Sequence, residues 1–311
     1  MAEQLPQFLA RSRAPRTVAK YQQEASRWEA WAESHKIGAY PAAPFHMVLY
    51  IMHRTQKAAS PASVTGAVYG VAWAHHMRGL PNPAEEQLVK HALQSAKRQL
   101  ARTPDRKKPI TKSVIKRIFQ CLQHESSLSD LQTATFIVLG YAGFFRWDDL
   151  HSIYADEIEF RSDYMVVFLE SRKNDQLREG SWVVISRWGQ GPLCPVALTK
   201  KLLKKGRHTG HAKLFGKVTK AKSGQKYLRG EMTYTRAREV VKEALARAGE
   251  DQEKYGLHSL RSGGVSDAAA AGVPDRLIRR HGGWRSETAA LAYFKETLPN
   301  LMAVTKAPRP N

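Results

Sequence analysis

Apolar and polar positions repeat with a helical period over most of the first hundred residues. Five apolar or aromatic side chains recur at steps of three and four between residues 18 and 31, so they share one face of a helix. These positions are Val18, Tyr21, Ala25, Trp28 and Trp31. Similar patterns cover residues 44–56, 60–79 and 84–102. The pattern predicts an all-helical domain over residues 1–103.

A basic stretch that contains two prolines separates this domain from the rest of the chain. Pro104 and Pro109 break the helical pattern, and residues 97–117 contain nine Lys and Arg against one Asp. Such a composition is typical of an exposed linker. We predict a basic linker over residues 104–110. A solvated tether without a partner is the alternative interpretation of the same residues.

The chain after the linker combines helices with short strands. Helical patterns over residues 111–123 and 130–145 precede three β-branched or aromatic runs, which turn residues separate. These runs lie at 154–160, 163–171 and 181–188. They predict a three-stranded antiparallel meander, after which the pattern becomes helical again. The predicted fold class is therefore mainly α with a small antiparallel β-sheet, and residues 111–311 form an α+β domain.

Charge indicates the class of partner. The 311 residues include 49 Lys and Arg against 28 Asp and Glu, a formal net charge of +21, and such a field attracts polyanions. Residues 200–229 hold eleven Lys and Arg and no acidic residue. In a chain this basic, that segment favours a surface that follows phosphates over a merely solvated face.

Other features favour an intracellular location. The two cysteines, Cys121 and Cys194, form no disulfide framework. The start of the chain has no apolar core of a secretory signal, although the arginines of residues 11–16 leave a transit peptide as a weaker alternative. The longest apolar stretch, residues 133–145, is too short to cross a bilayer. We expect the nucleus in a eukaryote, and the nucleoid or cytoplasm in a bacterium.

Nucleotide and metal sites are not expected. The segment after Gly210 is the nearest to a P-loop, but its glycines lie one residue too far apart and Val218 stands where Ser or Thr is needed. Two pairs of possible metal ligands have no second pair to complete a tetrahedral site: Cys121 with His124, and His208 with His211. We therefore predict no cofactor, no nucleotide and no metal.

A tyrosine near the end of the chain raises the question of covalent chemistry on DNA. A tyrosine hydroxyl, with a pKa of about 10, is a poor nucleophile at neutral pH, and a phosphodiester repels anions. Cleavage needs arginines that hold the phosphate and a general acid for the leaving oxygen. The required residue types follow one another in the chain: Arg146, Asp149, Lys173 in the predicted hairpin, His258 with Arg261 at i, i+3, Trp284 after two glycines, and Tyr293.

This series resembles the signature of the tyrosine recombinases, also called the phage integrase family. That signature runs Arg, Asp or Glu, Lys, His-x-x-Arg, His or Trp, and Tyr, and the segment "LHSLRSGG" matches its His-x-x-Arg helix start. The resemblance covers nearly the whole chain, because the first domain is similar to the helical core-binding domain of the family. Trp284 in place of the commoner His resembles recombinases of mobile elements of the DIRS or Crypton type.

The resemblance implies a site-specific recombinase or integrase that needs neither metal nor ATP. In the implied roles, Tyr293 forms a 3′-phosphotyrosyl link, and Arg146 and Arg261 hold the phosphate. His258 orients or deprotonates the nucleophile, and Trp284 supplies its indole N–H. Lys173 protonates the leaving oxygen, and Asp149 fixes Arg146 or His258. The partners implied are double-stranded DNA and further copies of the chain, from dimer to tetramer, on paired sites. Residues expected to contact DNA are Lys97, Arg98, Arg106, Lys107, Lys108, Arg172, Lys217 and Lys220.

Two alternative functions remain open. One is a domesticated, catalytically inactive DNA-binding protein of the same fold, and the other is a type IB topoisomerase with the same chemistry. Single residues also have plain structural interpretations. Tyr293 alone would be an aromatic that packs a helix, Arg146 alone a partner for a helix end, and Lys173 alone a solvated lysine in a hairpin. The ordered set as a whole favours the active enzyme.

Overall fold

The computed structural model describes residues 5–103, 106–172, 179–189, 191–223 and 226–286. The chain divides into two compact units, Met1–Asp105 and Arg106–Asn311, called here the first and the second unit. None of the described helices combines the length and the apolar character needed to cross a membrane.

The first unit is helical. Its helices are α1 Leu5–Ala10, α2 Pro15–Ser34, α3 Pro44–Lys57, α4 Pro61–His76 and α5 Gln87–Gln99. Three of them, α2, α3 and α4, begin at a proline, which loses no helical hydrogen bond at that position. Of the predicted apolar face of α2, Ala25, Trp28 and Trp31 are buried in the core, whereas Val18 and Tyr21 are half-buried. Gly70 of α4 lets α2 approach closely, because a Cβ there would lie 2.5 Å from Glu24 Cβ.

The second unit surrounds a central helix. Its helices are α6 Lys112–Cys121, α7 Leu128–Ala142, α8 Trp147–Ser152, α9 Pro195–Gly206, α10 Tyr234–Arg247, α11 His258–Ala270 and α12 Asp275–Gly282. Helix α7 carries the apolar stretch noted above and is buried on almost every face. It begins where the Ser127 side chain accepts a hydrogen bond from the N–H of Asp130, an N-cap of the usual kind.

A three-stranded antiparallel sheet lies in the second unit, as predicted. Strands β1 Ile158–Phe160, β2 Tyr164–Leu169 and β3 Ser181–Ser186 pair in the order β1-β2-β3. Val167 is opposite both Ile158 and Val183, and Met165, Val167 and Leu169 alternate into the core. The fold is therefore mainly α with small antiparallel sheets, which confirms the predicted class.

A second hairpin was not predicted. Strands β4 Lys217–Lys220 and β5 Lys226–Arg229 pair antiparallel within the basic segment. Leu228 is the buried residue of this hairpin, and most of the other side chains are exposed. Because the strands carry so few apolar positions, the alternation that identifies a strand from sequence is absent here.

The end of the predicted linker packs on the second unit. The N–H of Lys108 donates to the Lys254 carbonyl at 2.7 Å, and the N–H of Ile110 donates to the Ser259 carbonyl at 2.9 Å. Ile110 is 1% exposed, and a Cβ at Gly263 would lie 1.9 Å from its carbonyl oxygen. The basic residues of this stretch are therefore followed by one buried apolar residue, Ile110. Residues 106–110 are packed against the second unit and do not form a free tether.

Candidate active site

Arg146 and Asp149 lie where the chain turns from α7 into α8. Phe144, in this turn, has a φ of 50°, a left-handed conformation that is uncommon for a bulky residue and marks local strain. Arg146 immediately precedes α8, and its N–H donates to Asp149 Oδ2 at 2.9 Å. A carboxylate at the third helical position that accepts from the residue before the helix is one half of a capping box. The backbone thus holds the two predicted residues together.

Arg261 reaches this turn from α11. It is fully buried, its Nη1 donates to the carbonyl of Phe144, and its Nη2 donates to the carbonyl of Gly282 at 2.8 Å. Nη1 also lies 4.0 Å from Asp149 Oδ2. The approach depends on a glycine in α11, because a Cβ at Gly264 would lie 2.1 Å from the Tyr141 carbonyl oxygen. The two glycines that follow Arg261 in the sequence are therefore packing requirements.

Arg172 is a third guanidinium in the same place. Its Nη2 lies 3.4 Å from Asp149 Oδ2, and its Nη1 donates to the His281 carbonyl at 3.1 Å. Burial lowers the pKa of Arg172, and Asp149 opposes that shift. The side chain is 5% exposed, so Arg172 differs in position from the surface lysines and arginines with which it was grouped as a predicted DNA contact.

Trp284 is folded onto this cluster by the turn that ends α12. Gly283 has a φ of 66°. Its N–H donates to the Arg280 carbonyl at 3.1 Å, and the N–H of Trp284 donates to the Arg279 carbonyl at 3.0 Å, which together form a Schellman motif. The Arg261 guanidinium carbon lies 3.7 Å from the centroid of the Trp284 ring.

Both glycines before Trp284 are needed for this arrangement. A Cβ at Gly282 would lie 1.7 Å from the Trp284 ring, and a Cβ at Gly283 would lie 2.7 Å from Arg172 Nη1. The Arg146 guanidinium carbon is 5.9 Å from the same indole ring. Trp284 therefore contributes to the core and also covers the guanidinium cluster, as a cation–π partner of Arg261.

The charges of this cluster do not balance. The cluster contains three guanidiniums, those of Arg146, Arg172 and Arg261, and one carboxylate, that of Asp149, and the sum of their formal charges is +2. Within the described residues, Arg146 Nη1, Arg172 Nε and Asp149 Oδ1 have no hydrogen-bond partner. Buried polar groups without partners are costly and usually indicate a function or a missing ligand. An anion with several acceptor oxygens is the ligand that this excess of donors fits.

Two histidines lie at the ends of the helices that form the site. His258 is the first residue of α11, exposed and one turn before Arg261. His281 was given no catalytic role from the sequence, and the structure makes it an anchor: its Nε2 lies 2.9 Å from the Ala142 carbonyl oxygen, and its ring is 4.7 Å from that of Phe144. Burial lowers the pKa of His281, which favours the neutral ring that donates through Nε2.

The other predicted residues divide by position. Lys173 and Tyr293 lie outside the described residues, so their roles stay predictions. The remaining predicted DNA contacts are exposed or half-buried: Lys97, Arg98, Arg106, Lys107, Lys108, Lys217 and Lys220. Lys107 Nζ also donates to the Glu253 carbonyl at 2.6 Å. Among the described ranges, no group of three or more His, Cys, Asp or Glu is arranged to hold a metal ion.

Comparison with known proteins adds the following. No family model matches the chain. A protein named "Integrase/recombinase xerD homolog" from Selenomonas ruminantium is 27% identical over 293 residues, which cover 93% of this chain and 84% of that protein.

Solved structures of low sequence identity share the fold. The XerH site-specific recombinase bound to a palindromic difH substrate aligns with a TM-score of 0.64 at 13% identity, over 93% of this chain and 78% of that one. The Tn1549 transposon integrase in complex with transposon right end DNA gives 0.61 at 14% identity, over 97% and 98%. A lambda integrase tetramer bound to a Holliday junction gives 0.58 at 14% identity, over 94% and 76%.

Proposed function

We propose that this chain, which is similar in sequence to an integrase/recombinase homolog and in fold to solved recombinases, is a site-specific DNA recombinase or integrase. It cuts and rejoins duplex DNA through a 3′-phosphotyrosyl intermediate. The observation that carries the proposal is the buried cluster of Arg146, Arg172 and Arg261 around Asp149, which has more positive charge and more donors than its own residues satisfy. A phosphodiester supplies both the charge and the acceptor oxygens.

In the proposed cleavage step, the phenolic oxygen of Tyr293 attacks the scissile phosphorus and the bond from phosphorus to the 5′ oxygen breaks. The Tyr293 proton goes to His258 or to water, and Lys173 gives a proton to the leaving 5′ oxygen. Fixed donors aimed at the phosphate stabilise the charge that grows on its non-bridging oxygens. The phosphotyrosyl ester keeps the energy of the broken bond, so rejoining to a 5′ hydroxyl is the same step reversed and needs no ATP or metal.

The arginines have different parts in this proposal. Arg146 has an Nη1 without a partner among the described residues, so it is the direct donor to a phosphate oxygen. Arg261 is fully buried and donates to two backbone carbonyls. It therefore supplies charge beneath the phosphate and holds the Trp284 turn. Asp149 keeps the Arg146 backbone and the Arg172 guanidinium in position.

The proposed partners follow from the reaction. Exchange of strands between two DNA sites needs protomers on each site, so we propose that the chain acts as a homo-oligomer, a dimer to tetramer, on double-stranded DNA. Its location is then wherever that DNA is, the nucleus in a eukaryote and the nucleoid or cytoplasm in a bacterium. The subfamily of mobile-element recombinases suggested by Trp284 stays a prediction.

The test is a covalent trap. Purified full-length chain, with chelator and at stated salt, is incubated with nicked duplexes from a library of candidate sites, and adducts are separated on a denaturing gel. We expect an adduct that forms without metal and is absent from Tyr293→Phe. Salt-sensitive binding to the library without any adduct would favour the inactive DNA-binding alternative. Relaxation of supercoils by isolated protomers, without exchange between paired sites, would favour the topoisomerase.

A further inference from the structure

A basic pocket in the first unit is separate from the cluster described above. It has a volume of about 420 Å³ and lies among α2, α3 and the start of α4. Its lining includes three cationic side chains, two aromatic rings and a serine: Arg27, Arg54, Lys57, Trp31, Tyr50 and Ser63. No carboxylate lines it.

The one carboxylate nearby fixes the direction of the arginines. Glu24 is 5% exposed, and it accepts hydrogen bonds from Arg27 Nη1 at 2.6 Å and from Arg54 Nη1 at 3.0 Å. Lys57 is exposed at the end of α3 and has no ion pair among the described residues. Three cations and one carboxylate give a formal charge of +2. The positive field is also felt by His53, whose pKa is lowered by burial and by Lys57, His35 and Arg54.

The start of α4 adds a favourable partial charge to the same pocket. This helix of 16 residues begins at Pro61, and the side chain of Ser60, which precedes it, makes no capping hydrogen bond. The helix dipole gives this end a partial positive charge that favours anions, but Pro61 has no N–H and the N–H of Ser63 donates to the Ser60 carbonyl at 3.2 Å. Ser63, in this first turn, lines the pocket and is half-buried.

Two aromatic rings form the apolar wall of the pocket. Trp31 lines the pocket and is 8% exposed, and its Nε1 has no hydrogen-bond partner within the described residues. Its ring lies 5.2 Å from that of Tyr50, which packs beside it. Because Nε1 is also closed to solvent, Trp31 serves as a reporter in the wall of the pocket and not as a donor to its ligand. His53 also lines the pocket and can accept as well as donate, so the feature that favours an anion is the set of three cations, Arg27, Arg54 and Lys57.

We propose that this pocket is a phosphate-binding site that anchors the first unit to the backbone of duplex DNA. Lys57 and the paired arginines bind the phosphate oxygens, and the N-terminus of α4 adds a favourable partial charge. That the phosphate belongs to DNA rests on the proposed function; that the ligand is a phosphate group rests on the pocket itself. The site adds a contact in the α2–α4 region of the first unit, where the sequence predicted none.

The test compares DNA binding by the full-length chain and three variants that each lower the net charge by one. Lys57→Gln removes a lining cation. Ser63→Asp places a carboxylate in the first turn of α4, where it favours the helix but repels a phosphate. Lys90→Gln is the matched control, because Lys90 is exposed on α5 and does not line the pocket. Thermal unfolding establishes that all three are folded.

The expected result is a change in the salt dependence of binding. Loss of one phosphate contact makes the negative slope of log K, the DNA association constant, against log salt shallower by about 0.9. It also weakens binding roughly five- to tenfold at about 0.1 M salt. We expect this for Lys57→Gln and Ser63→Asp, and a change below about twofold for Lys90→Gln, which loses only a distant charge. If the pocket variants and Lys90→Gln bind alike, the proposal is overturned.

A second readout separates this proposal from the proposed function. The indole N–H resonance of Trp31 is followed in ¹⁵N-tryptophan-labelled protein during titration with a short duplex and, separately, with inorganic phosphate. A shift with the duplex that Ser63→Asp abolishes supports a DNA phosphate in the pocket. A shift with inorganic phosphate in a chain that binds no DNA supports the phosphate site while the recombinase proposal fails. No shift with either probe overturns the pocket, whether or not covalent adducts form.

Discussion

The Arg261 guanidinium carbon lies 3.7 Å from the centroid of the Trp284 ring, and both side chains are buried. This contact joins α11 to the turn that ends α12. It holds Arg261 and Trp284, two of the predicted site residues, against each other. A cation–π contact in a desolvated place contributes about 2 kcal/mol or more.

Replacement of Trp284 tests this contact. We expect Trp284→Ala to lower the free energy of unfolding by about 3–5 kcal/mol, because it leaves a cavity over a buried guanidinium. Trp284→Phe keeps an aromatic face, so it should lose less than half of that. The measurement is urea denaturation of both variants. Equal losses for Ala and Phe would mean that the ring face does not stabilise Arg261.

Asp149 is the carboxylate that the Arg172 and Arg261 guanidiniums face, and it also accepts a hydrogen bond from the Arg146 N–H. Asp149→Asn keeps an acceptor for the Arg146 N–H but removes the charge, and loss of one partner of a buried ion pair costs about 3–5 kcal/mol. Asp148→Asn is the control, since Asp148 is exposed next to it and surface substitutions change stability by about 0.5 kcal/mol or less. Chemical denaturation compares the two variants. A loss of similar size in both would contradict the shared role of Asp149.

Gly283 supports the position of Arg172. Gly283→Ala combines a φ of 66° with a Cβ 2.7 Å from Arg172 Nη1, whereas Gly272 has a φ of 75° and nothing within 4 Å of its Cβ. Gly272→Ala should therefore cost only the left-handed backbone, about 1–2 kcal/mol. Gly283→Ala should cost more and should also reduce covalent adduct formation, because Arg172 must move away from Asp149. If both variants have the same free energy of unfolding and form the same amount of adduct, the close approach of Gly283 to the Arg172 guanidinium has no effect.

Sequence patterns predicted the meander and the helical first unit because these elements alternate or repeat their apolar residues. They also selected Arg146, Asp149, Arg261 and Trp284, which the structure brings together. The position of Arg172 could not be predicted, since a charged residue beside a hairpin is usually solvated. Its burial depends on Asp149 and the His281 carbonyl, and the latter lies more than a hundred residues away in the chain.

A buried histidine in the first unit predicts sensitivity to acid. His75 is fully buried; its Nε2 accepts from the Ala42 N–H at 2.9 Å, and its Nδ1–H donates to the Val71 carbonyl at 2.8 Å. Burial lowers the pKa of His75, so the unfolded chain binds the proton more readily. The contribution of His75 to stability is therefore present above the unfolded pKa of about 6.5 and is lost as the pH falls below it.

The measurement is the urea midpoint of the first unit at about pH 7.5 and about pH 5, the range over which a histidine titrates. The midpoint should fall with acid in the native chain. His75→Gln should show a smaller fall, and His91→Gln, at an exposed position, should behave like the native chain. The same acid sensitivity in His75→Gln would show that another group is responsible.

The site of DNA attachment tests the central claim most directly. The covalent adduct from a nicked duplex is digested with protease, the peptide that carries the nucleotide is identified by mass spectrometry, and the ends of the freed strand are determined. The account predicts a 3′ phosphate joined to the hydroxyl of Tyr293 and a freed strand that begins with a 5′ hydroxyl. A nucleotide on any other residue, or a link through a 5′ phosphate, would contradict it.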